Sequence, residues 1–210
     1  MIPGTGKSAW SGGQSGDLER FVNALATAAR LHQAQYRKGT SIPYISHLLG
    51  TCAIALEYGA DADQAIASLL HDVIEDIQPT AMARAEVATF GREVLRIVEA
   101  CTDADSHPKP PWRQRKEAYV GRLTHEGARV LLVSASDKLH NARAIVRDLR
   151  DQGPSLWTRF DPNSDQLWYY GALVDAFASN PESPARLIDE LARTVRLMTR
   201  LAATARPVDE

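Results

Sequence analysis

Residues 68–77 read SLLHDVIEDI, an apolar run that carries one imidazole and three carboxylates, His71, Asp72, Glu75 and Asp76, and nothing basic. On a helix, with His71 as origin, Glu75 falls at about 40°, Asp72 at about 100° and Asp76 at about 140°, so one face carries all four. Ala62, Ile66, Leu69, Leu70 and Val73 form the core stripe of the same helix. Like charges crowded at the rim of a core are costly unless something positive sits among them, and a divalent cation meets that need. The plainer reading is a solvated acidic helix end with a chance histidine.

Two further features weigh against that plainer reading. PYISH sets His47 near the start of the preceding helix, and VLLVSASDKL sets Asp137 inside an apolar one, where a lone carboxylate is either paired with Lys138 or Arg143 or held by something else. Together His47, His71, Asp72 and Asp137 make two imidazoles and two carboxylates, a donor set suited to Mn, Fe, Co, Ni or Zn. Of the other histidines, His32 falls on the apolar face of the first helix and reads as a core imidazole. His140 lies at about 300° from Asp137 and reads as a supporting or surface group. His107 in a Pro-rich loop and His125 at a helix end lack the setting that a second metal would need. GTGKS near the start is not a phosphate-binding loop, because no strand precedes it and the first glycine of the motif would fall on Met1.

The elements that must position these groups are helices nearly throughout. Apolar residues recur at steps of three and four over 17–37, about 44–58, 61–76, two segments meeting at Gly91, 111–124, 127–151, 164–179 and 184–204. Asp61 and Gln64 form a capping-box pattern at the start of the third. No alternating pattern is seen, so the expected fold is all-α, a bundle of about eight to ten helices. Residues 1–16, rich in Gly and Ser, are taken as a flexible lead, 17–180 as the domain, and 181–210 as a C-terminal helix and short tail. That helix could pack on the domain or on a second copy, so a homo-oligomer is left open. The chain has 210 residues and a net charge of −2, which gives it no field for nucleic acid, and no run long enough for a membrane span. Cys52 and Cys101 lack metal-ligand spacing and read as buried thiols in a reducing compartment, the cytoplasm.

The ordered blocks QYRKGTSIPYISH, ASLLHDVIEDI, FGREVLRIVEACTD and SASDKLHNARAI resemble the HD-domain metal-dependent phosphohydrolases, and within them the small alarmone hydrolases of the RelA/SpoT type. The similarity spans about residues 17–180, and no synthetase or regulatory segment is expected after it. The resemblance implies one Mn²⁺ per chain on His47, His71, Asp72 and Asp137. It also implies catalytic roles for Glu75 and Asp76, and contacts to a nucleotide from Arg37, Lys38, Lys138, Asn141 and Tyr169, with Tyr170 as the alternative tyrosine. The expected reaction removes the 3′-pyrophosphate of (p)ppGpp. A phosphomonoesterase acting on the 2′-phosphate of NADPH and an idle nucleotide-binding HD protein are the alternatives. ISHL in place of INHP, EDI in place of EDT, and the aromatic-rich segment 152–163 depart from the family pattern.

Overall fold

The computed structural model describes residues 15–106 and 108–204; most of the Gly/Ser lead with its GTGKS, His107 and residues 205–210 lie outside the described residues. In chain order the helices are α1 (Ser15–Leu31), α2 (Ile45–Glu57), α3 (Ala62–Leu70), α4 (Val73–Asp76), α5 (Thr80–Ala88), α6 (Arg92–Cys101), α7 (Trp112–Leu123), α8 (Ala128–Gln152), α9 (Gln166–Ser179) and α10 (Ala185–Thr204). A 3₁₀ turn, Gly153–Arg159, joins α8 to the segment before α9. The fold is all-α among the described residues, where the one extended pairing outside helices is a bridge between Tyr36 and Pro43.

Local chemistry starts and stops these helices. Asp61 Oδ1 accepts from the Gln64 backbone N–H at 3.0 Å, and Gln64 Oε1 accepts from the Asp61 N–H at 3.1 Å, so the expected capping box opens α3. α8 ends at Gly153, whose φ of +60° closes the last turn in a conformation that a side chain would resist.

Two boundaries differ from the sequence pattern. The first helix ends at Leu31 rather than near 37. Residues 35–44 instead fold back, with the Arg37 N–H donating to Ile42 O at 2.8 Å and the Tyr44 N–H to Gln35 O at 2.9 Å. The expected helix over 61–76 breaks at His71–Asp72. Asp72 sits at φ −95°, ψ −4°, a bridge-region conformation that turns its carboxylate toward the histidines and Tyr44. Tertiary contacts thus override the periodicity at the two residues that periodicity was used to place.

Two apolar clusters form the interior. One gathers Ile66, Leu69, Leu70, Val73 and Ile74 with residues of α1, α2, α5 and α6; the other gathers Leu139, Ala142 and Leu149 with α7, α9 and α10. Each fully buried Leu or Ile contributes about 1.5–3 kcal/mol relative to an exposed one. α2 and α8 contribute to both clusters, Leu48 and Val133 to the first, Ile54 and Leu131 to the second. α10 covers α8 and α9 with Leu187, Leu191 and Met198, all fully buried. The seam between the clusters is where His47, on α2, and Asp137, on α8, meet.

Candidate metal centre

His47, His71 and Asp137 are buried, and their ligand atoms lie within 4.8 Å of one another, the grouping of metal-capable side chains found among the described residues. His47 Nε2 and His71 Nε2 are 3.2 Å apart. Asp137 Oδ1 is 3.2 Å from the first and 3.5 Å from the second, and Asp72 Oδ2 is 3.4 and 3.1 Å away. Two donors about 2.1 Å from one ion stand about 3.0–3.4 Å apart at angles between a right angle and the tetrahedral one, so this spacing fits a shared cation.

The histidine tautomers point the same way. His71 Nδ1 faces the Ser68 carbonyl at 2.8 Å, and a carbonyl can only accept, so the proton is on Nδ1 and the Nε2 lone pair faces the cluster. With no ion between them, burial would lower the His71 pKa, but Asp72 and Asp137 reverse this and raise it well above the usual value. Burial likewise opposes ionisation of Asp137, yet Lys138 and the two histidines hold its carboxyl well below the ordinary range. The cluster attracts positive charge, from protons or from a metal.

Supporting contacts hold the members of the cluster. The Tyr44 hydroxyl donates to Asp72 Oδ2 at 2.7 Å, and burial followed by the Asp72 charge pushes its own pKa well up, so it remains a donor. Lys138 Nζ bonds Asp137 Oδ2 at 2.6 Å, and Asn141 Nδ2 donates to Oδ1 at 2.5 Å. Asn141 Oδ1 in turn accepts from Arg37 at 2.6 Å, which links the cluster to the basic loop. His140 Nδ1 is 2.9 Å from His47 Nδ1, and burial, with His47 and Arg37 nearby, lowers its pKa to about 4.

The acidic pair one turn on is also held. Glu75 Oε1 accepts from Lys109 at 2.8 Å and Oε2 from the Asp103 N–H at 3.3 Å; Asp103 is itself bound by Arg115 and Lys116. Asp76 Oδ2 accepts from Gln35 Nε2 at 2.8 Å, and His32 Nδ1 lies 2.6 Å from Gln35 Oε1. His32 is buried, as a core imidazole should be, but its Nε2 has no partner, and its ring stacks on Tyr44 at 5.2 Å. Lost hydration raises the Asp76 pKa, Asp72 adds to this, and the bond from Gln35 opposes it. Removing that bond disfavours the charged form, so if Asp76 acts in its protonated form Gln35→Leu is expected to move the alkaline limb of kcat/KM to higher pH, and the loss of a contact that orients Asp76 is expected to lower kcat several-fold. A pH profile of the variant beside the wild type checks this.

Beside the centre opens a pocket of about 260 Å³ whose lining includes Arg37, Lys38, Thr40, Tyr44 and Asn141, the largely apolar Ile145, Leu156, Phe160 and Tyr170, and Arg147, Asp148 and Arg159. A Cβ on Gly39, whose φ is +68°, would stand 2.7 Å from Arg159 Cγ, so the bare glycine lets Arg159 lie against the basic loop. Of the sequence-predicted contacts, Arg37, Lys38 and Asn141 line the pocket. Lys138 does not; its ammonium is committed to Asp137 and lies over the Tyr119 ring at 4.9 Å. Of the two tyrosines, Tyr170 lines the pocket, whereas Tyr169 is buried under Lys116 with its hydroxyl unpartnered. Sequence reasoning gave no role to Tyr44, Gln35, Lys109 or Arg159. Tyr44 and Gln35 belong to the segment QYRKGTSIPYISH, but nothing in local spacing announces a partner dozens of residues away.

Comparison with known proteins bears on the same segment. The family model for the HD domain matches residues 24–168. The chain is 35% identical over 147 residues to the Xenopus tropicalis guanosine-3′,5′-bis(diphosphate) 3′-pyrophosphohydrolase MESH1, covering 69% of this chain and 77% of that one. It is 31% identical over 134 residues to the bifunctional (p)ppGpp synthase/hydrolase SpoT of Escherichia coli K12, covering 61% of this chain but 18% of that longer protein. The solved structure of a metazoan orthologue of SpoT that hydrolyses ppGpp superposes with a TM-score of 0.63 at 25% identity, over 85% of this chain and 96% of that one. Because the matched segment holds all four histidine and aspartate groups of the centre and spans most of the sequence, the chain belongs to the HD-domain family.

Proposed function

We propose that the protein is a Mn²⁺-dependent phosphohydrolase that cleaves the 3′-pyrophosphate of guanosine polyphosphates, giving GDP or GTP and pyrophosphate. The observation that carries the reading is the convergence of His47, His71, Asp72 and Asp137 at the edge of a pocket lined by Arg37, Lys38 and Asn141. The relatives named as ppGpp hydrolases supply the substrate class.

In this reading the four groups hold one divalent ion, which when bound supplies a Lewis acid for a phosphoryl oxygen and makes water a stronger acid. The mixed nitrogen and oxygen donors suit Mn²⁺ among several metals. Glu75, kept in place by Lys109 and the Asp103 N–H, takes a proton from the attacking water as its oxygen bonds to the phosphorus nearest the ribose. The bond from that phosphorus to the ribose 3′ oxygen breaks, and Asp76, whose pKa is raised, returns a proton to the leaving oxygen. Arg37 and Lys38 offset the substrate's negative charge, and Ile145, Leu156 and Phe160 in the pocket lining offer apolar surface to the base. Residues 17–180 form the catalytic unit in this scheme, with the C-terminal helix packed against it. The two free thiols, Cys52 and Cys101, suit the reducing cytoplasm; no helix among the described residues is long and apolar enough to cross a membrane.

Incubating the purified protein with ppGpp and Mn²⁺ and separating the products tests this. GDP with pyrophosphate is the expected result. Orthophosphate from NADPH with ppGpp left intact, or no turnover of either, would overturn it.

A further inference from the structure

We infer that His140 is a positioning residue for the metal centre, acting as the hydrogen-bond acceptor that fixes the tautomer and angle of His47. The inference rests on the proposed ligand set.

His47 and His71 face the cluster through Nε2, and each needs its proton on Nδ1 for that lone pair to be free. For His71 the Ser68 carbonyl enforces this. His47 has no such carbonyl; its Nδ1 meets another imidazole nitrogen, His140 Nδ1, at 2.9 Å. In a bond between two such nitrogens one must donate. A ligand His47 must be the donor, so His140 accepts on Nδ1 and keeps its own proton on Nε2. The two rings lie 4.9 Å apart at 47°, which leaves His47 little freedom to turn.

A second observation shows that the fold makes room for this contact. The His140 ring is pressed on α2 at Gly50, where an added Cβ would stand 2.2 Å from both Cδ2 and Nε2. Neither atom could stay at such a distance, so the absence of a side chain at Gly50 is a condition of the imidazole's place. Gly50 lies inside α2, three residues after His47, where glycine is otherwise unfavourable by about 1 kcal/mol relative to alanine. Helix propensity is set aside at this position in favour of the His47–His140 contact. Three residues separate Asp137 from His140, so α8 carries both a ligand and the group that aims another ligand from α2.

The test titrates metal-free wild type, His140→Leu, His140→Asn and Gly50→Ala with Mn²⁺, reading the free-ion resonance signal, and repeats the series with Zn²⁺ by calorimetry. Circular dichroism of each metal-free protein monitors folding. His140→Leu removes the acceptor and is expected to weaken metal binding about 10–100-fold. His140→Asn places an oxygen acceptor near the position of Nδ1 and should bind within about threefold of wild type, because the acceptor and not the ring is what His47 requires. Gly50→Ala leaves both histidines in the chain but displaces the ring, and should weaken binding like His140→Leu. His140→Leu binding as tightly as wild type would overturn the inference, and so would His140→Asn losing as much as His140→Leu, which would mark a packing role alone. Wild type taking up neither ion would instead overturn the ligand set itself, and this inference with it.

Discussion

Glu75→Gln is expected to reduce ppGpp turnover by about 10²–10⁴-fold while metal content stays near one ion per chain. The amide keeps the size of the carboxylate, and its one oxygen can still accept from Lys109 or from the Asp103 N–H, one of the two contacts that hold Glu75 in place. What it loses is the capacity to take a proton from water. Because neither contact involves a proposed ligand, metal uptake should be spared, and comparison of kcat with metal stoichiometry in the same preparation separates the two roles. Turnover near that of wild type would remove Glu75 as the base and direct attention to Asp76.

The second large effect concerns the ion. His71→Ala is expected to lower metal affinity by more than about 100-fold and to abolish turnover, since it removes a buried proposed ligand and leaves Asp72 and Asp137 with less positive charge beside them. The same change separates stability from chemistry. An ion bound to the folded state alone stabilises it by about 2.7 kcal/mol at a concentration 100-fold above its Kd, which for a chain of this size is about 5–10 °C in Tm. Wild type should therefore melt lower by that amount with a chelator, and His71→Ala should show no such response. Lower pH should release the metal as well, because Asp72 and Asp137 draw a proton to His71 that competes for the same lone pair. A chelator shift as large in His71→Ala as in wild type would place the ion elsewhere.

The readable parts of this site were those written in short-range pattern. The capping box of Asp61 and Gln64, the apolar stripe of α3 and the isolated carboxylate of Asp137 in an apolar helix are local facts that periodicity exposes. The break at His71–Asp72 was not readable, because it is produced by partners on other elements: Tyr44 is 28 residues from Asp72. The same holds for Gln35 and Asp76, 41 residues apart, and for Arg37 and Asn141, 104 apart. Tyr169 and Tyr170 mark a different limit. One residue along a helix is a rotation of about 100°, so an uncertainty of one position moves a side chain from the pocket into the core. Lys138 lies within the same limit: adjacent to Asp137 in sequence, it places its charge on that carboxylate instead of on the pocket.

The seam between the two apolar clusters has a consequence for the life of the folded chain. The proposed ligands lie on α2, just past the end of α3 and on α8, with 24 residues between His47 and His71 and the longer stretch to Asp137 beyond. An ion joined to all three closes these stretches into rings, as a cross-link would, in a protein whose two cysteines are unpaired. Its removal would free the rings as well as the reaction, so starvation for metal would silence the enzyme and shorten its survival together.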